Sequence, residues 1–123
     1  MSVRRKTQDD LVLEETYLDA SGEPVTLPEG YAGAKYSYNN AGQLELTQYL
    51  NTAGEKTSCN MGYSAVRQSW DPEGRLLSRN YLDENGQAAG NSAGISEERF
   101  TYDEDGHLTG MKKYDTAGSL VSD

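Results

Sequence analysis

The sequence predicts an all-β protein of tandem antiparallel β-hairpins with a 32-residue period, laid out as an open curved meander sheet or a short β-solenoid-like array. Three observations carry this. Gly22, Gly54, Gly86 and Gly118 are spaced by 32 residues, and so are Gly30, Gly62 and Gly94, and Gly42, Gly74 and Gly106. A turn of the form Asp/Asn-x-x-Gly occurs twice in every period. The large apolar residues on either side of one of these turns match each other when the flanking strands are paired.

The chain reads as one repeat domain over 1–123. Residues 1–16 are a degenerate half copy, with Asp10 where glycine should stand and Val12 where leucine recurs. Copies follow at 17–48, 49–80 and 81–112, and 113–123 is a truncated copy. Both ends read as edges of an array, or as cuts in a longer one. The segment 7–18 is the best helix candidate, but it is better read as a strand by its match to 43–50.

The turns fall at Asp19–Gly22, Asn39–Gly42, Asn51–Gly54, Asp71–Gly74, Asp83–Gly86, Asp103–Gly106 and Asp115–Gly118. Asp or Asn at the first position hydrogen-bonds the turn backbone, and glycine at the fourth takes positive φ without a Cβ clash. This is the chemistry of a three-residue hairpin loop closed by a glycine bulge. Pro72, just after Asp71, sits where such a turn accepts proline.

That register places Tyr38 opposite Leu44, Tyr36 opposite Leu46, Trp70 opposite Leu76 and Tyr102 opposite Leu108, so one face gathers the apolar residues. On the other face it predicts Tyr49 over Gly33 and Tyr81 over Ala65, aromatic rings covering small residues. In the third copy it pairs Lys113 with Glu97 and Lys112 with Glu98. Segments 23–30, 55–62 and 87–94 vary in composition around a fixed final glycine. Each reads as a short strand start and a bend, leading into a strand that begins at Tyr31, Tyr63 or Ile95.

Composition narrows the function classes. Nine tyrosines stand against one Phe and one Trp, and with 13 glycines they fit many short strands and tight turns rather than a thick aliphatic core. The net charge is −9, and base is concentrated only at Arg4, Arg5 and Lys6, which disfavours nucleic-acid binding. Cys59 is alone, so it forms no internal disulfide and suggests no cysteine metal site. No apolar run long enough to span a bilayer occurs, so the chain is expected to be soluble, without membrane insertion.

His107 is the one histidine, and no catalytic constellation can be assembled around it; no enzyme activity and no cofactor are expected. Asp103-Glu104-Asp105-Gly106 and Asp83-Glu84-Asn85-Gly86 superficially resemble calcium loops, but they lack the further ligands, and turn chemistry explains them; no metal is expected. Tyr17, Tyr49 and Tyr81 recur at the period, as do Tyr31 and Tyr63. These five are the candidate ligand-binding residues, since a row of rings can stack sugars or hold a quaternary amine. They can equally cover small residues and fill a thin core.

The stretches WDPEGRLLS and YDEDGHLTGMKKYDTAGSLV resemble the bacterial Rhs or YD-repeat family, through Trp70, Asp71, Gly74, Arg75 and Leu76; Tyr102, Asp103, Gly106 and Leu108; and Tyr114, Asp115, Gly118 and Leu120. The 32-residue copy is longer than that family's repeat and carries an extra arm. YLDASG, YLNTAG and YLDENG are similar to cell-wall-binding repeats of choline- and glucan-binding proteins, without their Gly-Trp step, and hairpin repeats of the MORN type are similar in architecture. The resemblance implies a bacterial, surface-exposed or secreted array that scaffolds or binds. The expected partner is a protein or, alternatively, a cell-surface glycan held by the tyrosines. Seven or eight strands would make an open sheet about 35 Å wide, whose edges expose it to edge-to-edge self-association.

Overall fold

The computed structural model describes residues 2–122. They form one antiparallel sheet of nine strands whose spatial order follows the chain. The strands are β1 (Ser2–Gln8), β2 (Leu11–Leu18), β3 (Gly33–Tyr38), β4 (Leu44–Leu50), β5 (Ala65–Trp70), β6 (Leu76–Leu82), β7 (Glu97–Tyr102), β8 (Leu108–Tyr114) and β9 (Leu120–Ser122). The sheet is an open hairpin meander with β1 and β9 at its edges, and no described residue is helical. β3, β5 and β7 start two residues later than the positions Tyr31, Tyr63 and Ile95 suggested.

The turns show why the sequence folds this way. At Asp103 the side-chain Oδ1 accepts from the amides of Asp105 and His107, both at 2.9 Å, while the Gly106 amide donates to the Asp103 carbonyl at 3.1 Å. The same bonds form at Asp19, Asn39, Asn51, Asp71, Asp83 and Asp115. A third turn with the same backbone bonds closes each arm, at Leu27–Gly30, Cys59–Gly62 and Asn91–Gly94, with Leu27, Cys59 and Asn91 bonded through the backbone to Tyr31, Tyr63 and Ile95; the side-chain bonds form at Asn91. The first hairpin differs: Asp9 and Asp10, at φ 52° and 68°, make a two-residue turn with both residues in the left-handed region, which Asp tolerates better than most residues other than glycine.

Tyr38 faces Leu44, Trp70 faces Leu76 and Tyr102 faces Leu108. One step beyond, a β-bulge inserts Glu45, Leu77 or Thr109, and every later partner moves by one residue. Tyr36 therefore lies opposite Thr47 rather than Leu46, Tyr49 opposite Ala34 rather than Gly33, and Tyr81 opposite Val66 rather than Ala65. Lys113 pairs with Glu98 rather than Glu97, and Lys112 with Arg99 rather than Glu98. Gly33 is accordingly not a residue sheltered by Tyr49. It points to the opposite side, where a Cβ would overlap the Glu15 carbonyl oxygen of β2.

Successive hairpins join over only three residue pairs, Glu14–Thr16 with Gly33–Lys35, Leu46–Gln48 with Ala65–Arg67, and Ser78–Asn80 with Glu97–Arg99. Beyond each junction the arm folds back on the strand it left, through bridges Leu18–Pro24, Leu50–Lys56 and Leu82–Ala88. The thin core sits at this arm end, in Ala32, Ala34, Leu50, Cys59, Ala65, Val66, Tyr81, Leu82 and Ile95. Ser64 is buried there too: its hydroxyl donates to the Thr57 carbonyl at 2.8 Å, and the Gln48 amide donates to its hydroxyl at 2.7 Å. A buried hydroxyl so placed is fully used.

Candidate functional site

The five periodic tyrosines meet in one row. Tyr17, Tyr49 and Tyr81 come from β2, β4 and β6, where alternation puts them on a single face, and Tyr31 and Tyr63 enter from the arms between them. Along the row, Tyr17 meets Tyr31 edge-on at 6.3 Å between ring centroids, and Tyr31 stacks on Tyr49 at 4.4 Å. Tyr49 and Tyr63 lie 6.0 Å apart, and Tyr63 and Tyr81 4.6 Å apart. Such separations are within the range where aromatic pairs attract beyond their buried area. Lys113 stands where a further tyrosine would continue the row, and Ile95, packed with Val66 and Tyr81, closes it.

The side chains of this row are partly buried, Tyr81 most of all. Burial pushes the phenols of Tyr31, Tyr49 and Tyr63 up to about 12, with neighbouring ionisable groups adding to the rise. Tyr17 and Tyr81 move in the same direction, burial again leading; Tyr81 also donates to Glu98 Oε1 at 2.7 Å. Glu98 in turn meets Arg79 at 3.3 Å. A comparable but non-equivalent set lies at the first junction, between β2 and β3, where Tyr36 and Arg5 both donate to Glu15, at 2.6 and 2.7 Å. Burial works to raise the Glu15 carboxyl, but these bonds and the Arg5 charge outweigh it and hold the group below its ordinary value.

Beside the row, Pro28, Glu29, Cys59, Asn60 and Met61 join Tyr31, Tyr49 and Tyr63 around a cleft of about 410 Å³. The arms that frame it are locked together. The Asn60 amide donates to the Glu29 carbonyl at 2.7 Å, its side chain donates to the Pro28 carbonyl, and the Ser92 hydroxyl reaches the Met61 sulfur at 3.7 Å. Gly30 is required here, since at φ 101° it presses against Asn60 where a Cβ would clash. The five non-tyrosine residues were not legible as site residues. Their signal was the fixed glycine at 30, 62 and 94, which marks a third turn in each copy and brings successive arms into contact.

A second aromatic row, at the hairpin tips, has a different role. The Tyr38 hydroxyl donates to the Val12 carbonyl at 2.7 Å, the Trp70 indole N–H to the Leu44 carbonyl at 2.8 Å, and the Tyr102 hydroxyl to the Leu76 carbonyl at 2.6 Å. Each acceptor is the residue just before a bulge, and each donor comes from the next copy. These carbonyls lie outside the three residue pairs that join successive hairpins, and the next aromatic takes each of them. Arg75 adds a cation–π contact, 5.2 Å from the centre of the Tyr102 ring.

The remaining candidates disperse. The turn residues Asp19, Gly22, Asn51, Gly54, Asp83 and Gly86 lie at the arm end, while Asn39, Gly42, Asp71, Gly74, Asp103 and Gly106 lie at the tips. Asp115 and Gly118 join β8 to β9. Asp103, Asp105 and His107 offer ligand atoms within 4.8 Å of one another, but all three are exposed and Asp103 Oδ1 is engaged by the turn amides. Among the described residues no helix is long and apolar enough to cross a membrane. No protein-family model matches the chain, and no curated protein matches it.

Proposed function

We propose that this chain is a non-catalytic interaction module, a repeat scaffold that offers one aromatic face to a protein or cell-surface partner. The observation that carries the reading is the unbroken tyrosine row from Tyr17 to Tyr81, opening at its centre into the cleft between the first two arms. Rigid rings on a locked frame lose little side-chain entropy on binding, so they suit a recognition surface. The YD-like motif at Tyr102, Asp103, Gly106 and Leu108 supports a bacterial, secreted or surface-exposed setting.

A second reading makes the ligand a carbohydrate. Its support is the cleft itself, which is of ligand-binding size, walled by the rings of Tyr31, Tyr49 and Tyr63, and rimmed by the polar side chains of Glu29 and Asn60. Titration of the full chain with a glycan panel and with candidate surface proteins, followed through tyrosine ring signals by NMR, tests both. Shifts at Tyr31, Tyr49 and Tyr63 on adding a sugar, abolished by Tyr63→Ala, would support the carbohydrate reading. Shifts with a protein only would leave the scaffold reading. Partners that bind without moving any ring signal of the row would sink both uses of this face.

A further inference from the structure

We infer that the face of the sheet turned away from the tyrosine row binds an extended acidic polysaccharide, held through four cations, Arg4, Lys35, Arg67 and Arg99. The same position recurs in every hairpin: Arg4 lies opposite Thr16, Lys35 opposite Gln48, Arg67 opposite Asn80 and Arg99 opposite Lys112. Alternation puts these residues on the side of Gly33, away from Tyr49, and all four cations are exposed. In no hairpin is the residue opposite the cation a carboxylate. Along the chain the four stand about one copy apart, so no basic run marks them, and only the pairing of strands collects them. Lys35, Arg67 and Arg99 lie on β3, β5 and β7, which have a paired strand on both sides, so the row belongs to the body of the sheet and not to an edge.

Charge is sorted between the two faces. The chain has 20 acidic residues against 11 Lys and Arg. On the tyrosine side the strand carboxylates Glu15 and Glu98 are each spent on an arginine and a tyrosine. On the opposite side Glu14 meets Lys6 at 3.4 Å and Glu97 meets Arg99 at 2.7 Å. Among the described residues Arg4, Lys35 and Arg67 have no ion pair. Each step of the row crosses two strands and moves two residues along them: on β4 Lys35 faces Gln48 and Arg67 faces Leu46, and on β6 Arg67 faces Asn80 and Arg99 faces Ser78. Successive Cα atoms are therefore roughly 12 Å apart. That exceeds the screening length of about 8 Å at physiological salt, so the cations hardly repel one another and stay available to an anion.

What lies between the cations suits a sugar chain. A groove of about 560 Å³ beside Arg67 is lined by Ser37, Ser69, Ser78 and Asn80, with Glu45 of the β4 bulge as its one carboxylate. A smaller groove of about 230 Å³ beside Arg4 adds Lys6, Thr16 and Thr52. Ser37, Ser69 and Thr101 keep a hydroxyl two residues past the cation in three successive copies. A polymer with an anion on alternate units and neutral hydroxyls between them meets this pattern, its carboxylates on the cations and its hydroxyls on Ser, Thr and Asn. A polysaccharide with a uronic acid at every second sugar is such a polymer, since two sugar units span about one step of the row and the long Lys and Arg side chains take up the difference. Nucleic acid fits less well. Across β1–β6 this face carries no ring on which a base could stack, the first being Tyr114 beneath Arg99, and a net charge of −9 opposes dense polyphosphate more than sparse carboxylates.

The test titrates the full chain at low salt with a hyaluronan oligosaccharide, in which glucuronic acid alternates with a neutral sugar, and with dextran as an uncharged control. NMR signals of backbone and side chains are followed. Shifts are expected at Lys35, Ser37, Arg67, Ser69 and Asn80 with none in the rings of the tyrosine row, and binding should weaken as salt is raised. Arg67→Gln should weaken binding about tenfold for loss of one charge-assisted bond. The triple variant Lys35→Gln, Arg67→Gln, Arg99→Gln should abolish it, and it should melt like the parent because all three side chains are exposed. Lys113→Gln makes the same change of charge on the tyrosine side and should alter affinity by less than about twofold. No shift at millimolar oligosaccharide, equal binding of dextran, or equal losses at Arg67→Gln and Lys113→Gln overturns the inference. Tighter binding of a polyglutamate peptide or a single-stranded oligonucleotide overturns the polysaccharide as occupant, and so does salt-reversible self-association through this face, which would make the occupant a second copy. Shifts confined to the tyrosine row overturn this second face and leave the carbohydrate reading of the cleft standing.

Discussion

Two rows of aromatic side chains run across this sheet at the same 32-residue spacing, and they use tyrosine for opposite reasons. At the hairpin tips, Tyr38, Trp70 and Tyr102 are held by what their polar end donates to, a backbone carbonyl of the preceding copy that lies outside the inter-hairpin pairing. At the arm end, Tyr17, Tyr31, Tyr49, Tyr63 and Tyr81 are held mainly by their rings, with centroids 4.4 to 6.3 Å apart beside a thin core, and Tyr81 also by its hydroxyl bond to Glu98. The tip row ties copy to copy through hydrogen bonds. The arm row ties them through packing and keeps its faces available along a cleft. Aromatic residues with a polar end thus give a clamp at one end and a surface at the other.

High pH should break the arm row with the largest effect of all. Tyr31, Tyr49 and Tyr63 are raised from an ordinary value of 10.0 to about 12, mainly by burial. A phenol raised on folding contributes stability that is fully present below its unfolded pKa and is lost as pH rises through its folded pKa. The melting midpoint should therefore stay level to about pH 9 and fall steeply between about pH 10 and 12, together with the appearance of phenolate absorbance. Complete phenolate formation near pH 10 with the fold still intact would contradict the burial argument. Next in size, Tyr49→Ala removes the ring at the centre of the row and should cost about 3 kcal/mol in denaturant unfolding.

The tip row should respond to a subtler change. Tyr102→Phe keeps the ring against Leu108 and Arg75 but leaves the Leu76 carbonyl without its donor, and Tyr38→Phe does the same to Val12. Each should cost about 1–2 kcal/mol, the penalty of an unmet acceptor at a half-buried site. A loss of a few tenths or less in both variants would show that water replaces the bond, and that the tip aromatics are retained for packing alone.

The two rows were unequally legible in the sequence. The repeat, the all-β class and the tip pairs Tyr38–Leu44, Trp70–Leu76 and Tyr102–Leu108 follow from glycine spacing and turn chemistry, because an Asp-x-x-Gly turn fixes both its own hydrogen bonds and the first pair beside it. The register beyond that pair does not. Glu45, Leu77 and Thr109 share no residue type that marks a bulge, so the register of the turn alone puts Tyr49 over Gly33, whereas Ala34 is its partner. The periodicity of the five tyrosines was visible, but their contact was not, since Tyr31 and Tyr63 reach the row from arms whose path depends on a third turn begun by Leu27 and Cys59. The carbonyl clamp was hidden because the sequence does not show that neighbouring hairpins pair over only three residues, which leaves the carbonyls of Val12, Leu44 and Leu76 for the next copy's Tyr or Trp to meet.

The smallest effect expected is also the sharpest division between the rows. Tyr49→Phe keeps the contacts with Tyr31 at 4.4 Å and Tyr63 at 6.0 Å and removes only the hydroxyl. If the ring is what the fold uses here, stability should change by less than about 0.5 kcal/mol, well under the loss at Tyr102→Phe. The alkaline transition should then shift, because one of the raised phenols has gone. A loss at Tyr49 equal to that at Tyr102 would mean that the arm row is clamped through its hydroxyls as well, and a row so clamped would have less freedom to turn its polar ends towards a ligand in the cleft.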